Sequence, residues 1–243
     1  MDLTDATINE MASKAVQHFW QVRDMQALRQ KDSGKVDQGF RSAVTGGAQM
    51  TGFIDAFKNL ACLAGIASED VYSQCSLLEL PGYFRPTKEW DILIIQRKVL
   101  LAAIEAKSQV GPSFGNNFNN RTEEAMGSAL DLWTAFRENA FKTGVRPWLG
   151  YLFLLEDCPR SRSPVRVNEP HFDVFPDFKH ASYARRYELF CRKLVLERHY
   201  DAAALLVSTR EEGVNGAFSE PCSEIGFRRF ARFLFAHLQG FKQ

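Results

Sequence analysis

Two acidic residues and one lysine have the types and the spacing best suited to chemistry in this sequence. Asp91 opens one apolar segment, and Glu105 and Lys107 close the next. Residues i and i+2 of a strand face the same side, so Glu105 and Lys107 are expected to project together. A turn between the two segments would bring Asp91 alongside them. Two carboxylates and the backbone carbonyl of Ala106 would form an oxygen site suited to Mg²⁺ and a substrate phosphate.

The chemistry predicted for this group is hydrolysis at phosphorus. A metal held by Asp91, Glu105 and the Ala106 carbonyl could lower the pKa of a bound water and stabilise charge on the phosphorus oxygens. Lys107 adds a compact cation that could hold or activate the attacking water and contact the phosphate. The competing interpretation is a solvated strand face. Residues 99–104 are apolar on both faces, however, and charges that end a buried strand need partners.

The elements that must position these residues are indicated by the pattern of apolar side chains. Helices are predicted over about 5–30 and 49–66, and residues 77–80, 90–95 and 99–106 predict short strands. A polar turn at 96–98 would join the last two strands into a hairpin. The order predicts an α/β fold around a small mixed sheet. The remaining predicted elements are a loop at 111–120, a helix from Thr122 to about 142, a buried strand at 148–155, and helices at about 182–199 and 223–239.

The composition is that of an ordinary globular protein. The chain has 243 residues, 45% of them hydrophobic and 24% charged, and a net charge of +1, which excludes a disordered or fibrous chain. Five scattered cysteines without a CxxC pair predict reduced thiols. The first ten residues are polar and acidic, and the longest apolar run, 148–155, is much shorter than the ~20 residues that span a bilayer. We therefore expect a cytoplasmic protein without a membrane segment.

The cluster and its frame resemble a known group of nucleases. Asp91…Glu105-Ala106-Lys107 in a helix–three strands–helix–strand frame resembles the PD-(D/E)xK nuclease superfamily, although Trp90 replaces the usual proline. Further blocks resemble the XhoI family of type II restriction endonucleases. They are Ala-Val-Thr-Gly-Gly-Ala-Gln-Met at 43–50, Glu-Trp-Asp at 89–91, Ile-Glu-Ala-Lys-Ser-Gln at 104–109, Gly-Asn-Asn-Phe-Asn-Asn-Arg at 115–121 and Gly-Ser-Ala at 127–129.

This resemblance implies a restriction-endonuclease-like α-β-β-β-α-β core within one nuclease domain spanning residues 1–243. The core is expected at about 49–155, with an N-terminal helical extension at 1–48 and a C-terminal basic helical region at 156–243. The implied activity is Mg²⁺-dependent cleavage of double-stranded DNA at the palindrome CTCGAG by a homodimer. A cognate DNA methyltransferase that protects the host site is implied as a functional partner.

Two other functions remain open. One is a structure-selective DNA repair or recombination nuclease of the same fold. The other is a non-catalytic DNA-binding or assembly protein, in which Asp91, Glu105 and Lys107 form a structural ion pair. A non-cutting protein would bind DNA without a divalent metal and yield no metal-dependent product.

DNA contacts are predicted from basic and amide side chains. Residues 160–198 contain nine Lys or Arg against five acids, a net +4, and three arginines follow at 228, 229 and 232. Such clusters suit phosphate binding, although helical arginines also line solvated faces. Asn and Arg side chains can read base edges, and asparagine also favours turns. The candidates are Asn116, Asn117, Asn120, Arg121, Arg160, Arg162 and Arg166.

A second segment also contains the letters of the nuclease motif. Residues 176–179 read Pro-Asp-Phe-Lys. Asp177 would have to serve as both acids there, unless Glu169 or Asp173 supplied the second. Pro170 and Pro176 argue against a central strand at this position. We therefore place the predicted site at residues 91–107.

Overall fold

The computed structural model of the protein describes residues 3–32 and 47–242, so residues 43–46 of the block predicted at 43–50 lie outside them. Among the helices in these two ranges, none has the length and apolar character needed to cross a membrane. The strands are β1 (Val71–Tyr72), β2 (Glu79–Pro81), β3 (Thr87–Glu89), β4 (Ile92–Gln96), β5 (Val99–Gln109), β6 (Trp148–Glu156) and β7 (Ala202–Ser208). The α-helices are α1 (Asp5–Asp32), α2 (Thr51–Leu63), α3 (Phe114–Arg137), α4 (Pro159–Arg162), α5 (Tyr183–Leu196), α6 (Arg210–Gly213) and α7 (Phe227–Gln239).

A five-stranded mixed sheet has the order β1-β4-β5-β6-β7. Strands β1, β4 and β5 pair antiparallel, whereas β5, β6 and β7 pair parallel, with helices in the crossovers that parallel strands require. With α2 before β1 and α3 between β5 and β6, this is the predicted α-β-β-β-α-β core, and the mixed α/β fold class is confirmed. The predicted strand at 77–80 is wrong for this sheet, because β2 pairs with β3 in a separate two-stranded sheet.

The central strands are buried on both faces because helices cover each side of the sheet. Alternate residues of a strand point to opposite faces. Ile92 and Ile104 pack with α1, α2 and α7 on one side, whereas Leu93 and Ala103 pack with α3 and α5 on the other. The result is a three-layer arrangement, with the sheet between two helical layers.

The predicted β4–β5 hairpin is confirmed. Arg97 and Lys98 form its two-residue turn with φ angles of 51° and 64°. Two successive left-handed residues give the turn a twist that matches paired strands. Ile92 pairs with Ile104, which places Asp91 across from the second half of β5.

The predicted loop at 111–120 is wrong, because α3 begins at Phe114. The ring of Phe114 stacks on Tyr183 with centroids 5.7 Å apart, and Phe118 meets Tyr187 edge-on at 5.1 Å. These contacts with α5 outweigh the turn preference of the asparagines between them. Tertiary packing therefore decides where this helix starts.

The end of α3 also differs from the prediction, at Arg137 instead of about 142. Asn139 adopts a left-handed φ of 61°, and the Ala140 N–H donates to the Ala135 carbonyl at 2.9 Å. This Schellman-type arrangement satisfies the last helical carbonyls. An asparagine therefore ends the helix before Gly144 and Pro147 are reached.

Strand β7 was not predicted. Its residues pair in parallel with β6 from Gly150 opposite Ala202 to Glu156 opposite Ser208, and all seven are buried. The three alanines that open it are good helix formers. A strand buried on both faces also lacks the polar alternation that marks an exposed strand.

Candidate active site

The second half of β5 brings the predicted carboxylates and lysine together. Lys107 Nζ lies 3.0 Å from Glu105 Oε1 and 3.3 Å from Asp91 Oδ2. The same Asp91 oxygen accepts a hydrogen bond from the Ala106 N–H at 2.8 Å. In an extended strand the N–H and carbonyl of one residue point to the same side, so the Ala106 carbonyl faces this edge too. We call Asp91, Glu105 and Lys107 the carboxylate–lysine cluster.

Glu105 is the most buried member of the cluster, with its side chain only 4% exposed. Its Oε1 atom faces the lysine, but Oε2 is buried and accepts no hydrogen bond within the described residues. A buried carboxylate oxygen without a partner is energetically costly. A divalent cation would satisfy it, because Mg²⁺ takes oxygen ligands. The residues present therefore fit a metal ion.

The donor set is small. Within residues 3–32 and 47–242, no group of three or more His, Cys, Asp or Glu side chains is arranged to hold a metal. The cluster instead offers two carboxylates and one backbone carbonyl. Mg²⁺ is commonly bound through one or two carboxylates, with water and substrate phosphate as its other ligands. The set suits an ion that is shared with a phosphate substrate.

Lys88 is a neighbour of the cluster that the sequence analysis missed. Its Nζ lies 3.4 Å from Glu105 Oε1 and donates to the Glu89 carbonyl at 2.8 Å. The ammonium also lies 4.4 Å from the centroid of the Trp90 ring. Lys88 belongs to β3, which was not predicted. The sequence feature that could have identified Lys88 is its i, i+2 spacing from Trp90, because this spacing places both residues on one face of an extended segment.

The charges of the cluster fix its protonation state. Burial would raise the pKa of Glu105, but Lys107 and Lys88 outweigh it, so this pKa lies below its usual value. Burial would lower the pKa of Lys107, but Glu105 and Asp91 outweigh it, so that pKa is raised. For Lys88, burial together with the repulsion from Lys107 prevails over Glu105, and its pKa is lowered. Glu105 is therefore anionic at neutral pH.

A cleft of about 660 Å³ borders the cluster and gives it access to a substrate. One wall is the β2–β3 turn, through Phe84 and Arg85, and the other is α3. Glu105 and Lys107 line the cleft between these walls. From α3, Arg121 reaches the same cleft while it pairs with Glu124 at 2.6 Å. An arginine predicted to contact DNA thus lies at the cleft.

The predicted asparagines lie on the first turns of α3, not in a loop. Asn116 and Asn120 are exposed and one helical turn apart. Asn117 points back along the helix, where its amide donates to the Ser113 carbonyl at 2.7 Å. Asn116 and Asn120 therefore keep their amides accessible, whereas Asn117 helps to satisfy the start of the helix.

The three predicted arginines after β6 are placed differently from one another. Arg160 donates to the Pro112 carbonyl at 3.1 Å, just before α3. Arg162 donates two hydrogen bonds of 2.7 Å to the Asp157 carboxylate. The pair of guanidinium N–H groups that could bind a base edge is therefore already in use. Arg166 lines a different cavity of about 670 Å³, together with Lys179. The structure thus brings Arg160 beside the start of α3, but not Arg166 to the cleft.

The second segment that resembles the nuclease motif, residues 176–179, is not part of the sheet. Pro176–Phe178 forms a short 3₁₀ helix, and Lys179 pairs with Glu169 at 3.0 Å.

Two of the three C-terminal arginines form ion pairs within the protein. Arg228 and Arg232 both pair with Asp5 of α1, at 3.0 and 2.7 Å. Part of the basic character of this region is therefore used in contacts within the protein.

The fold and the cluster define an α/β protein of the restriction-endonuclease-like type. The sequence model of the family described as restriction endonuclease XhoI matches residues 29–220. The chain belongs to this family.

Three named type II restriction enzymes are similar to the chain over most of its length. BstVI of Geobacillus stearothermophilus is 54% identical over 216 residues, covering 87% of this chain and 96% of the relative. XhoI of Xanthomonas vasicola is 46% identical over 198 residues, covering 81% and 79%. AbrI of Azospirillum brasilense is 48% identical over 172 residues, covering 71% and 77%. No solved structure matches the chain significantly.

Proposed function

We propose that the protein is a Mg²⁺-dependent type II restriction endonuclease that cuts double-stranded DNA at a short palindrome. Membership of the XhoI family and the names of the similar enzymes support the activity. The resemblance to that family gives CTCGAG as the expected site. The observation that carries the mechanism is the buried Oε2 atom of Glu105, which lacks a protein partner among the described residues.

Asp91, Glu105 and the Ala106 carbonyl are the proposed metal ligands. When bound, Mg²⁺ would supply Lewis-acid chemistry, lowering the pKa of a water and offsetting charge on the phosphorus oxygens. Glu105 provides the buried anionic end of this set. Asp91, whose side chain is about one-third exposed, is the more accessible carboxylate of the two.

Lys107 is proposed to orient the attacking water and to contact the scissile phosphate. Its pKa lies above the usual lysine value, since Glu105 and Asp91 outweigh burial, so it remains protonated. A protonated lysine donates hydrogen bonds and positive charge, and it does not remove a proton. In this scheme water attacks phosphorus directly, the P–O bond to one sugar oxygen breaks, and the proton of the water passes to solvent. No side chain becomes covalently attached to DNA.

The proposed DNA contacts surround the start of α3. Asn116 and Asn120 offer exposed amides, and Arg121 reaches the cleft. Arg160 lies beside the loop before α3. Asparagine pairs with adenine and arginine with guanine in the major groove. Asn117, Arg162 and Arg166 stay candidates, although the Arg162 side chain would have to leave Asp157 in order to read a base.

Three further features belong to this proposal. A palindromic site mirrors two-fold symmetry, so the active form is a homodimer in which each subunit cuts one strand. A cognate methyltransferase protects the same site in the host. Both enzymes work in the cytoplasm, where the DNA is.

Digestion of a sequenced plasmid, with Mg²⁺ and with EDTA, tests the proposal when the fragment ends are mapped. We expect discrete, Mg²⁺-dependent fragments that end at CTCGAG. Discrete ends elsewhere would keep the nuclease and overturn the expected specificity. Cleavage of branched or damaged DNA alone would favour a repair nuclease, and intact plasmid from folded, DNA-binding protein would favour the non-catalytic alternative.

A further inference from the structure

The turn between β2 and β3, residues 82–86, presents two exposed aromatic side chains. Phe84 is 66% exposed and Tyr83 is 54% exposed, and their rings meet edge-on with centroids 5.0 Å apart. Large apolar side chains that are exposed side by side mark interaction sites more often than single exposed ones do. We call residues 82–86 the aromatic turn.

The backbone of the aromatic turn is fixed by one buried carboxylate of α3. Asp131 Oδ1 accepts hydrogen bonds from the backbone N–H groups of Tyr83 and Phe84, at 2.7 and 2.8 Å. Asp131 Oδ2 accepts a third bond from Arg85 Nε at 2.7 Å. The packing is tight, because a Cβ atom at Gly82 would lie 2.6 Å from Asp131 Oδ2. The two rings therefore project from a rigid support.

The position of the aromatic turn relates it to the substrate. Phe84 and Arg85 line the same cleft as Glu105 and Lys107. DNA that places a phosphate at Glu105 and Lys107 must lie along the wall that the aromatic turn forms. A second protein seated on Phe84 would cover this cleft and exclude the DNA. Continuity with the cleft therefore favours DNA as the occupant over another protein chain.

We propose that the aromatic turn is a DNA-docking element, in which the Phe84 ring packs against the DNA beside the bond that is cut. This inference rests on the proposed function and deepens it. Apolar side chains that pack on bases or wedge between base steps are a known way to hold DNA at a defined position. Because Asp131 already orders the backbone, little conformational freedom is lost when the turn contacts DNA.

Phe84→Ala tests the proposal, with Phe233→Ala as the matched control. Phe233 is also a partly exposed phenylalanine, but it belongs to α7 in the helical layer on the other side of the sheet. Binding of a fluorescent duplex that contains CTCGAG is measured by anisotropy in EDTA, so that no cutting occurs. We expect Phe84→Ala to weaken binding about 10-fold, as loss of one stacking contact does. Phe233→Ala and Phe84→Tyr should stay within about 2-fold.

Asp131→Asn is a second variant that tests the rigid support. This variant keeps Phe84, but one of the two carboxylate oxygens becomes an amide NH₂ group, which donates and does not accept. Either the hydrogen bond from Arg85 Nε or the two bonds from the backbone N–H groups are therefore lost. We expect weaker binding than wild type and tighter binding than Phe84→Ala, at temperatures where circular dichroism shows each variant folded. An affinity equal to wild type would contradict a role for the fixed backbone.

The outcomes separate this inference from the proposed function. If the wild type cuts the duplex with Mg²⁺ and Phe84→Ala binds it as tightly as the wild type does, the docking role is overturned and the nuclease stands. A change in sedimentation mass on Phe84→Ala would make the aromatic turn a subunit interface and also overturn it. If the wild type neither binds nor cuts DNA, both proposals fail.

Discussion

Two regions of this protein contain similar sequence motifs, Asp91…Glu105-x-Lys107 and Asp177-x-Lys179, in very different structural surroundings. The first lies where β4 begins and in the second half of β5, and Glu105 is buried there between two lysines. The second lies on an exposed 3₁₀ turn, where Lys179 pairs with Glu169. The comparison teaches that the spacing of charges along the chain is less informative than the burial of those charges.

The physical difference lies in what each site needs from a ligand. An exposed ion pair is satisfied by water, and it contributes little to stability. The buried Oε2 atom of Glu105 has no protein hydrogen-bond partner among the described residues. Such an atom is costly until a ligand reaches it.

Glu105→Gln should produce the largest effect. It removes the buried anionic ligand, and we expect single-turnover cleavage with Mg²⁺ to fall on the order of 10³-fold or more. DNA binding in EDTA should be unchanged or tighter, because one negative charge leaves the cleft. Glu169→Gln is the matched control and should cleave like the wild type. Cleavage by Glu105→Gln within a few-fold of the wild type would contradict the claim that the buried Glu105 differs in function from the exposed Glu169.

Lys88→Met should produce a smaller loss with a distinctive pattern. Lys88 contacts Glu105 and not the exposed end of the cluster, so we treat it as a positioning residue. We expect the maximal cleavage rate to fall about 10-fold, as Glu105 becomes less constrained. The Mg²⁺ concentration for half-maximal rate should decrease, because a competing cation is gone. A lower rate with an unchanged Mg²⁺ dependence would indicate a structural role only.

The loss of folding stability at acidic pH should depend on Glu105 and not on Glu169. The pKa of Glu105 lies below its usual value, since the two lysines outweigh burial, so its stabilisation exists above the unfolded pKa and is lost as pH falls. Thermal midpoints between about pH 3 and pH 6 should therefore fall less steeply for Glu105→Gln than for the wild type. The pKa of Glu169 is also lowered, by the Val174 N–H and Lys179, but solvent screens this exposed group. Glu169→Gln should follow the wild-type curve, and a flattened curve for this variant would contradict the contrast.

Asp177→Asn and Lys179→Met should have the smallest effect. Both residues lie outside the cleft, and we expect cleavage rates within about 2-fold of the wild type. Lys179→Met changes the charge of the basic segment, so its DNA binding is compared at two salt concentrations. A loss of cleavage comparable to that of Glu105→Gln would move the active site to the exposed segment.

The sequence predicted the hairpin and the grouping of Asp91, Glu105 and Lys107 because these depend on short-range rules. Strand alternation places Glu105 beside Lys107, and a two-residue turn places Asp91 opposite them. Strand β1 is only two residues long, and β7 opens with three alanines, so neither shows a strand pattern. Their positions follow from pairing with β4 and β6.

The parts of the site that sequence reasoning missed depend on contacts between distant segments. Lys88 reaches Glu105 across 17 positions, and Asp131 holds Tyr83 across 48. The local periodicity of a sequence does not indicate pairs that are so far apart along the chain. The start of α3 was missed for the same reason, because Phe118 packs on a helix that begins 65 positions later, at Tyr183. Local pattern thus predicted where the charges meet, and tertiary packing determined what surrounds them.

Metal binding by the protein tests the central claim most directly. Mn²⁺ serves as a paramagnetic substitute for Mg²⁺, and electron paramagnetic resonance counts the bound ions without relying on cleavage. We predict that the wild type binds Mn²⁺ in the presence of duplex DNA, that Glu105→Gln loses this binding, and that Glu169→Gln retains it. Equal Mn²⁺ binding by wild type and Glu105→Gln would contradict the claim that the buried carboxylate of Glu105 is a metal ligand.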